Sequence, residues 1–239
     1  MRDRSYAINS RALLHIAREA RDRSEGSAAQ AIVAITFAAI GLEAFVNEII
    51  ERVAVDQLET ESSELARLRA LIGACGLSSR TASLATKIEV TYAALTDHPI
   101  ARGDQPYQDF ELLTEVRNFV VHDRPESISF SSTGGREGPP HRVVRRLASR
   151  GVIPLPNEVE VSQGAWSSLA DPRVARWAFD AALAMATFLA EAFPKRHWKE
   201  RLLLGFGALT TTDEHHTVAA ERGVEADETG QSSSPDLVT

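Results

Sequence analysis

Three side chains within a stretch of six residues have the types needed for proton transfer beside an anion. The stretch RNFVVH places Arg117, Asn118 and His122 at the end of an apolar helical pattern. An arginine guanidinium matches the oxygens of a phosphate or carboxylate with two parallel hydrogen bonds. A histidine takes or gives a proton near neutral pH, because a free imidazole titrates near ~6.5. Asn118 precedes His122 by four residues, so on a helix its amide can orient the ring or bind the anion itself.

The spacing of Arg117 and His122 keeps them apart on a single helix. Five residues at 3.6 residues per turn rotate His122 by about 140° from Arg117. One copy of the motif therefore does not bring the two side chains to one point. Two copies that meet across a two-fold axis can combine them, so the spacing favours a homodimer.

A second interpretation of the same residues requires no chemistry. Cationic side chains are favourable at a helix C-terminus, because the last backbone carbonyls lack partners within the helix. Arg117 and His122 can serve that purpose, with Asn118 as a capping residue. The spacing alone leaves both interpretations open.

Two polar residues interrupt the most apolar region of the chain. Glu43 and Asn47 lie four residues apart in GLEAFVNEII, so they share one face of a helix. A carboxylate in so apolar a helix is expected to have a partner. We expect Glu43 to pair with Arg117 and to hold its guanidinium in place; the alternative is an exposed position at the edge of the helix. The apolar segment 28–45 itself predicts a buried central helix rather than a membrane span, since polar residues divide it.

The rest of the chain predicts the elements that position these residues. A chain of 239 residues with 44% hydrophobic content can bury one substantial core. Apolar residues recur at helical spacing along most of it, and no convincing series of strands or internal repeat is present. The prediction is an all-α bundle of about five or six helices over residues 1–210, with an irregular insert at about 123–165.

Residues 211–239 have the composition of a disordered acidic tail. They contain seven acidic residues and one arginine, and so carry six of the seven net negative charges of the chain. Few apolar residues occur there, and they lack helical spacing. The body of the protein is therefore nearly neutral.

Several familiar chemistries have no counterpart in the sequence. It contains no GxxxxGK[ST] phosphate loop, no GxGxxG after a strand, no HExxH and no GxSxG. The single cysteine, Cys75, excludes an internal disulfide and a multi-thiolate zinc site, and it favours a reducing, cytoplasmic location. His215 and His216 lie in the acidic tail without an ordered partner. We therefore predict neither a metal nor another cofactor.

The motif and its surroundings resemble the HEPN superfamily. RNFVVH matches the R-x4–6-H signature of that superfamily, including the polar residue that often follows the arginine, here Asn118. An apolar helix (FELLTEV) leads into the motif and an exposed turn (DRPE) follows it. GLEAFVNEII is similar to the acidic and amide-bearing helix that packs beside the motif in many members. The late helix VARWAFDAALAMATFLAEAF is similar to their closing helix, so the resemblance covers roughly residues 5–195.

The resemblance implies a helical bundle, often dimeric, that in many members is a metal-independent ribonuclease acting as a toxin or in defence against foreign nucleic acid. Arg117, Asn118 and His122 would then be catalytic, with Glu43 and Asn47 in support. The residue types suit that reaction, which needs a base for the ribose 2′-OH and a fixed positive charge at the phosphate. Other members are thought to have lost catalysis. The alternative is therefore an inactive binding or scaffold module in a complex with a cognate antitoxin or a defence partner.

A basic segment further along the chain can follow an RNA backbone. HRVVRRLASR predicts a short amphipathic helix with four arginines, namely Arg142, Arg145, Arg146 and Arg150. A solvated helix face explains the same pattern equally well.

Overall fold

The described part of the chain is built from α-helices. The computed structural model describes residues 9–55, 62–78, 81–122, 141–155, 165–194 and 196–203. In chain order the helices are α1 (Asn9–Asp22), α2 (Ala28–Val55), α3 (Ser63–Ala74), α4 (Leu84–Thr96), α5 (Tyr107–His122), α6 (Arg142–Ser149), α7 (Ala165–Leu169), α8 (Pro172–Glu191) and α9 (Arg196–Leu203). A single 3-10 turn, Ser24–Gly26, joins α1 to α2, and no strand occurs within these ranges.

The all-α prediction is confirmed. Six helices in the described ranges contain 12 or more residues, which agrees with a bundle of five or six. Three more contain eight residues or fewer: α6, α7 and α9. A helix of five residues such as α7 completes barely more than one turn, so hydrophobic spacing cannot reveal it.

Short polar side chains set the beginnings of several helices. Ser83 caps α4 by accepting a hydrogen bond from the backbone N–H of Thr86 at 3.1 Å. Asp171 caps α8 by accepting from the N–H of Arg173 at 2.7 Å, and Pro172 occupies the first helical position, where its missing N–H costs nothing. The Arg173 side chain also donates to Asp171, and this hydrogen bond lowers the pKa of the carboxyl below its ordinary value.

Helix α2 is the centre of the bundle. It contacts α1, α3, α4, α5, α7 and α8, and twelve of its residues are buried. Gly41 allows α1 to pack closely against α2, because a Cβ at this position would lie 2.8 Å from Cγ of Leu14 on α1. By length and composition α2 is apolar enough to cross a bilayer, with half of its most apolar stretch buried inside the protein. Its packing against six other helices favours a core helix.

Helix α5, which carries the RNFVVH motif, is fixed mainly through its first ten residues. Phe110, Leu113 and Val116 are almost fully buried against α2 and α8. Tyr107 is also buried, and its hydroxyl donates to the Glu89 carboxylate on α4. These contacts determine the direction in which the last turns of α5 leave the core.

All described helices belong to one compact unit, which ends at residue 204. The predicted acidic tail at 211–239 lies outside the described residues, as do segments 123–140 and 156–164 of the predicted irregular insert. Helix α6 occupies part of what remains of that insert.

Candidate functional site

The last turns of α5 present the motif to solvent. Asn118 and His122 are exposed, and Arg117 is partly exposed. Val121, between them, is 48% exposed, although it is a large apolar residue. The end of α5 is therefore the part of this helix that can meet a ligand or a second protein chain.

Arg117 and His122 lie on two sides of that exposed face. At 100° per residue, Asn118 falls between them, while Leu113 and Val116 point to the opposite, buried side. The single chain thus leaves the guanidinium and the imidazole separated by about 140° around the helix axis. Within one copy, the guanidinium and the imidazole lie on either side of the exposed face of α5 and do not point to a common position.

Arg117 is held from two directions. One terminal nitrogen lies 3.8 Å from Oε2 of Glu43 on α2, and the other donates to Oδ1 of Asn118 at 3.0 Å. The pair is partly exposed, with 29% of the Arg117 side chain and 46% of the Glu43 side chain accessible. Such a pair contributes little to stability. The expected contact with Glu43 is present, and the catalytic role of Arg117 stays a prediction.

Asn47 is engaged elsewhere. Its Oδ1 accepts a hydrogen bond of 2.8 Å from the ammonium of Lys87 on α4. Lys87 is 7% exposed, so this amide gives a buried cation one of the partners that it needs. The sequence analysis did not assign Lys87 a role. Glu43 and Asn47 share one face of α2, but Glu43 contacts α5 and Asn47 contacts α4.

Three of the four arginines on or next to α6 form ion pairs with α5. Arg142 and Arg146 lie 3.1 and 2.5 Å from the two carboxylate oxygens of Glu115. Arg150 lies 2.6 Å from Asp109 and donates to Gln108. If these three arginines contacted an RNA backbone, as predicted, each would have to bind a phosphate in addition to its carboxylate partner. Arg145 is exposed and forms no ion pair with another described residue.

An aromatic cluster lies beside the motif. Phe119 packs against His141, the residue that caps α6, with ring centroids 4.4 Å apart. It also faces Trp166 on α7, with centroids 6.5 Å apart. The sequence analysis missed this cluster, because no spacing along the chain connects residue 119 with residues 141 and 166.

Metal-ligating residues do not gather in the described ranges. No group of three or more His, Cys, Asp and Glu side chains there has the geometry to hold a metal ion. His215 and His216 lie outside the described residues.

Comparisons with known proteins do not supply a function. No protein-family model, no curated protein and no solved structure matches this chain. The function must be argued from the residues at the end of α5 and from their surroundings.

Proposed function

We propose that the protein is a metal-independent endoribonuclease of the HEPN type, with its site at the end of α5. The observation that carries the proposal is a difference between the contacts of Arg117 and those of His122. Arg117 is anchored by Glu43 and Asn118, whereas His122 is exposed and has no hydrogen-bond partner among the described residues. A positioned cation and an available imidazole are the two groups that RNA cleavage requires.

The reaction is an internal transfer at phosphorus. His122 removes the proton of a ribose 2′-OH, and the 2′ oxygen forms a bond to the adjacent phosphorus. The bond from phosphorus to the 5′ oxygen breaks, which leaves a 2′,3′-cyclic phosphate upstream. The departing 5′ oxygen takes a proton from an imidazolium or from water. Arg117 stabilises the negative charge that grows on the phosphate oxygens, and Asn118 donates a hydrogen bond to them or orients His122.

A homodimer completes the site in this proposal. Arg117 and His122 flank the exposed face of α5, so two copies of residues 117–122 facing each other place an arginine of one chain near a histidine of the other. Val121 supports this arrangement, because an interface would cover a side chain that is 48% exposed. Light scattering of the active protein checks the assembly. A monomer that cleaves RNA at the concentration of the assay would contradict it.

The cleavage assay tests the proposal directly. Purified protein is incubated with single-stranded RNA in EDTA, in parallel with His122→Ala and with DNA of the same sequence. We expect cleavage of RNA by the unmodified protein, no cleavage of DNA because it lacks the 2′-OH, and loss of activity in the variant. DNA cleavage, a strict need for magnesium or full activity of His122→Ala would refute the mechanism.

A binding or scaffold module is the second candidate. It is favoured by the same Arg117 contacts, since a guanidinium that is satisfied by Glu43 and Asn118 can simply stabilise the helix end. A toxin–antitoxin or defence complex would provide the partner. Failure to cleave any RNA tested, with RNA or protein binding retained, would favour this candidate.

A further inference from the structure

The aromatic cluster beside the motif has an exposed side. Trp166 is 40% exposed, although its neighbours Ala165 and Leu169 on α7 are buried and hold the helix against the protein. The Phe119 ring lies with its centroid 6.5 Å from that of the indole, and the two rings are tilted by 45°. His141 packs on Phe119 from the side of α6. The exposed part of this indole is apolar surface next to the motif.

The cluster adjoins His122. Phe119 precedes His122 by three residues on α5, and residues at that spacing are neighbours on a helix surface, with Cβ atoms roughly 5–6 Å apart. Glu115 precedes Phe119 by one turn on the same face and fixes α6 through Arg142 and Arg146. The position of α6, and so of His141, is therefore tied to the helix that carries the proposed base.

The charge around the cluster suits a phosphate backbone. Arg142 directly follows His141, and 72% of its side chain is accessible despite the contact with Glu115. Arg145 is exposed on the same short helix. Exposed aromatic rings next to exposed cations are the combination by which proteins hold single-stranded nucleic acid, with bases stacked on the rings and phosphates near the cations.

We propose that Trp166, supported by Phe119, stacks an unpaired RNA base beside His122 and so makes the protein selective for single strands. The inference rests on the proposed ribonuclease function and adds its substrate class. A base inside a duplex is already stacked on both faces and cannot reach the indole, whereas a loop or single strand can. Arg142 and Arg145 would contact the adjoining backbone.

Binding of an RNA that cannot be cleaved separates this inference from the ribonuclease activity. The probe is a short single-stranded 2′-O-methyl oligonucleotide, titrated into the full chain while tryptophan fluorescence is recorded. We expect quenching on binding, because Trp166 is the indole in contact with a base. Trp166→Ala should raise Kd roughly five- to hundredfold, the usual size of a base–aromatic stacking contribution. Trp166→Phe keeps an aromatic face, so it should retain most of the affinity while losing the quenching.

Two controls complete the experiment. Trp177→Phe removes an indole from α8, outside the cluster, and should leave both affinity and quenching unchanged. Circular dichroism confirms that each variant is folded, as expected for a substitution at a residue that is 40% exposed. The duplex form of the probe should bind more weakly than the single strand.

The outcomes of the two assays are distinguishable. Unchanged binding and cleavage by a folded Trp166→Ala variant would overturn the stacking inference and leave the ribonuclease proposal intact. Loss of binding in that variant, from a protein that cleaves no RNA, would support the stacking site and contradict the catalytic proposal. Equal affinity for single strand and duplex would also overturn the inference.

Discussion

The two ends of helix α5 differ in burial and in their contacts. Its first ten residues are fixed to the protein: Tyr107 and Phe110 are buried, Glu89 accepts from the tyrosine hydroxyl, and Arg150 pairs with Asp109. Its last six residues expose Asn118, Val121 and His122 and keep one guanidinium in a partly exposed pair. Within one helix, the buried end supplies the rigidity and the exposed end carries the groups of the proposed site.

This difference in burial indicates how the fold can carry the proposed site at the end of a helix. Exposed polar side chains contribute little to the free energy of unfolding, so the last turns can carry residues chosen for chemistry at small cost. The buried end must then hold the helix direction by itself. Substitutions in the two ends should therefore separate stability from activity, and each prediction below tests that separation.

The largest expected effect is on stability at the buried end. Phe110→Ala removes a ring that is 1% exposed and packs edge-on against Tyr107, so it should lower the free energy of unfolding by about 3–5 kcal/mol. Asn118→Ala, on the exposed end of the same helix, should change it by no more than about 0.5 kcal/mol. Urea denaturation measures both. Similar losses in the two variants would show that the two ends of α5 do not differ in this way.

The next effect is on activity at the exposed end. Arg117→Lys keeps the positive charge but loses the planar fork, so RNA cleavage should fall on the order of 10²–10³-fold. The melting temperature should barely move, since the contact with Glu43 is partly exposed. Arg23→Lys, at an exposed position after α1, is the matched control and should cleave RNA normally. An active Arg117→Lys variant would indicate that charge alone is required.

A third prediction makes the same comparison between stability and activity for two residues of α2. Asn47→Ala should cost about 1–3 kcal/mol, because it removes the amide that accepts from the buried Lys87 ammonium. Glu43→Gln, one turn away, should leave stability nearly unchanged and reduce cleavage by weakening the orientation of Arg117. Thermal melts and initial rates on the two variants provide the comparison. If Asn47→Ala impairs catalysis without destabilising the protein, then Asn47 does not act by stabilising the fold through Lys87.

The smallest effect depends on pH and concerns Tyr107. Burial raises the pKa of its phenol, and the hydrogen bond to Glu89 raises it further. Above about pH 10, the unfolded chain loses the phenol proton while the folded protein keeps it, so the free energy of unfolding should fall as pH rises. Tyr107→Phe should cost roughly 1 kcal/mol at neutral pH through the lost hydrogen bond. That difference should shrink above pH 10, and a constant difference across this range would contradict the assignment.

Much of the helical framework could be predicted from the sequence. The limits of α5 agree with apolar residues at spacings of three and four and with the loop composition on either side. The start of α8 agrees with the Asp171–Pro172 pair, whose side chain and fixed backbone angle both favour a helix beginning. These signals are local, so they do not depend on the rest of the fold.

Contacts between distant segments were harder to predict. The Glu43–Arg117 pair was expected because an isolated carboxylate in an apolar helix requires a partner. Asn47 shares the same helix face, yet it contacts Lys87, since α4 rather than α5 packs along that part of α2. The meeting of Phe119 with His141 and Trp166 depends on where α6 and α7 fold back onto α5, which no spacing along the chain encodes.

Complementation between two inactive variants is the most direct test of the central claim, that Arg117 and His122 of two copies form one RNA-cleaving site. Arg117→Ala and His122→Ala are purified separately, mixed under conditions that allow chains to exchange, and assayed on single-stranded RNA in EDTA. A mixed dimer retains one arginine and one histidine at the shared cleft, so the mixture should cleave RNA well above the sum of the separate variants. If the unmodified protein is active but the mixture, once exchanged, remains as inactive as its components, the site does not form between chains. If the unmodified protein itself cleaves no RNA, the ribonuclease account is wrong.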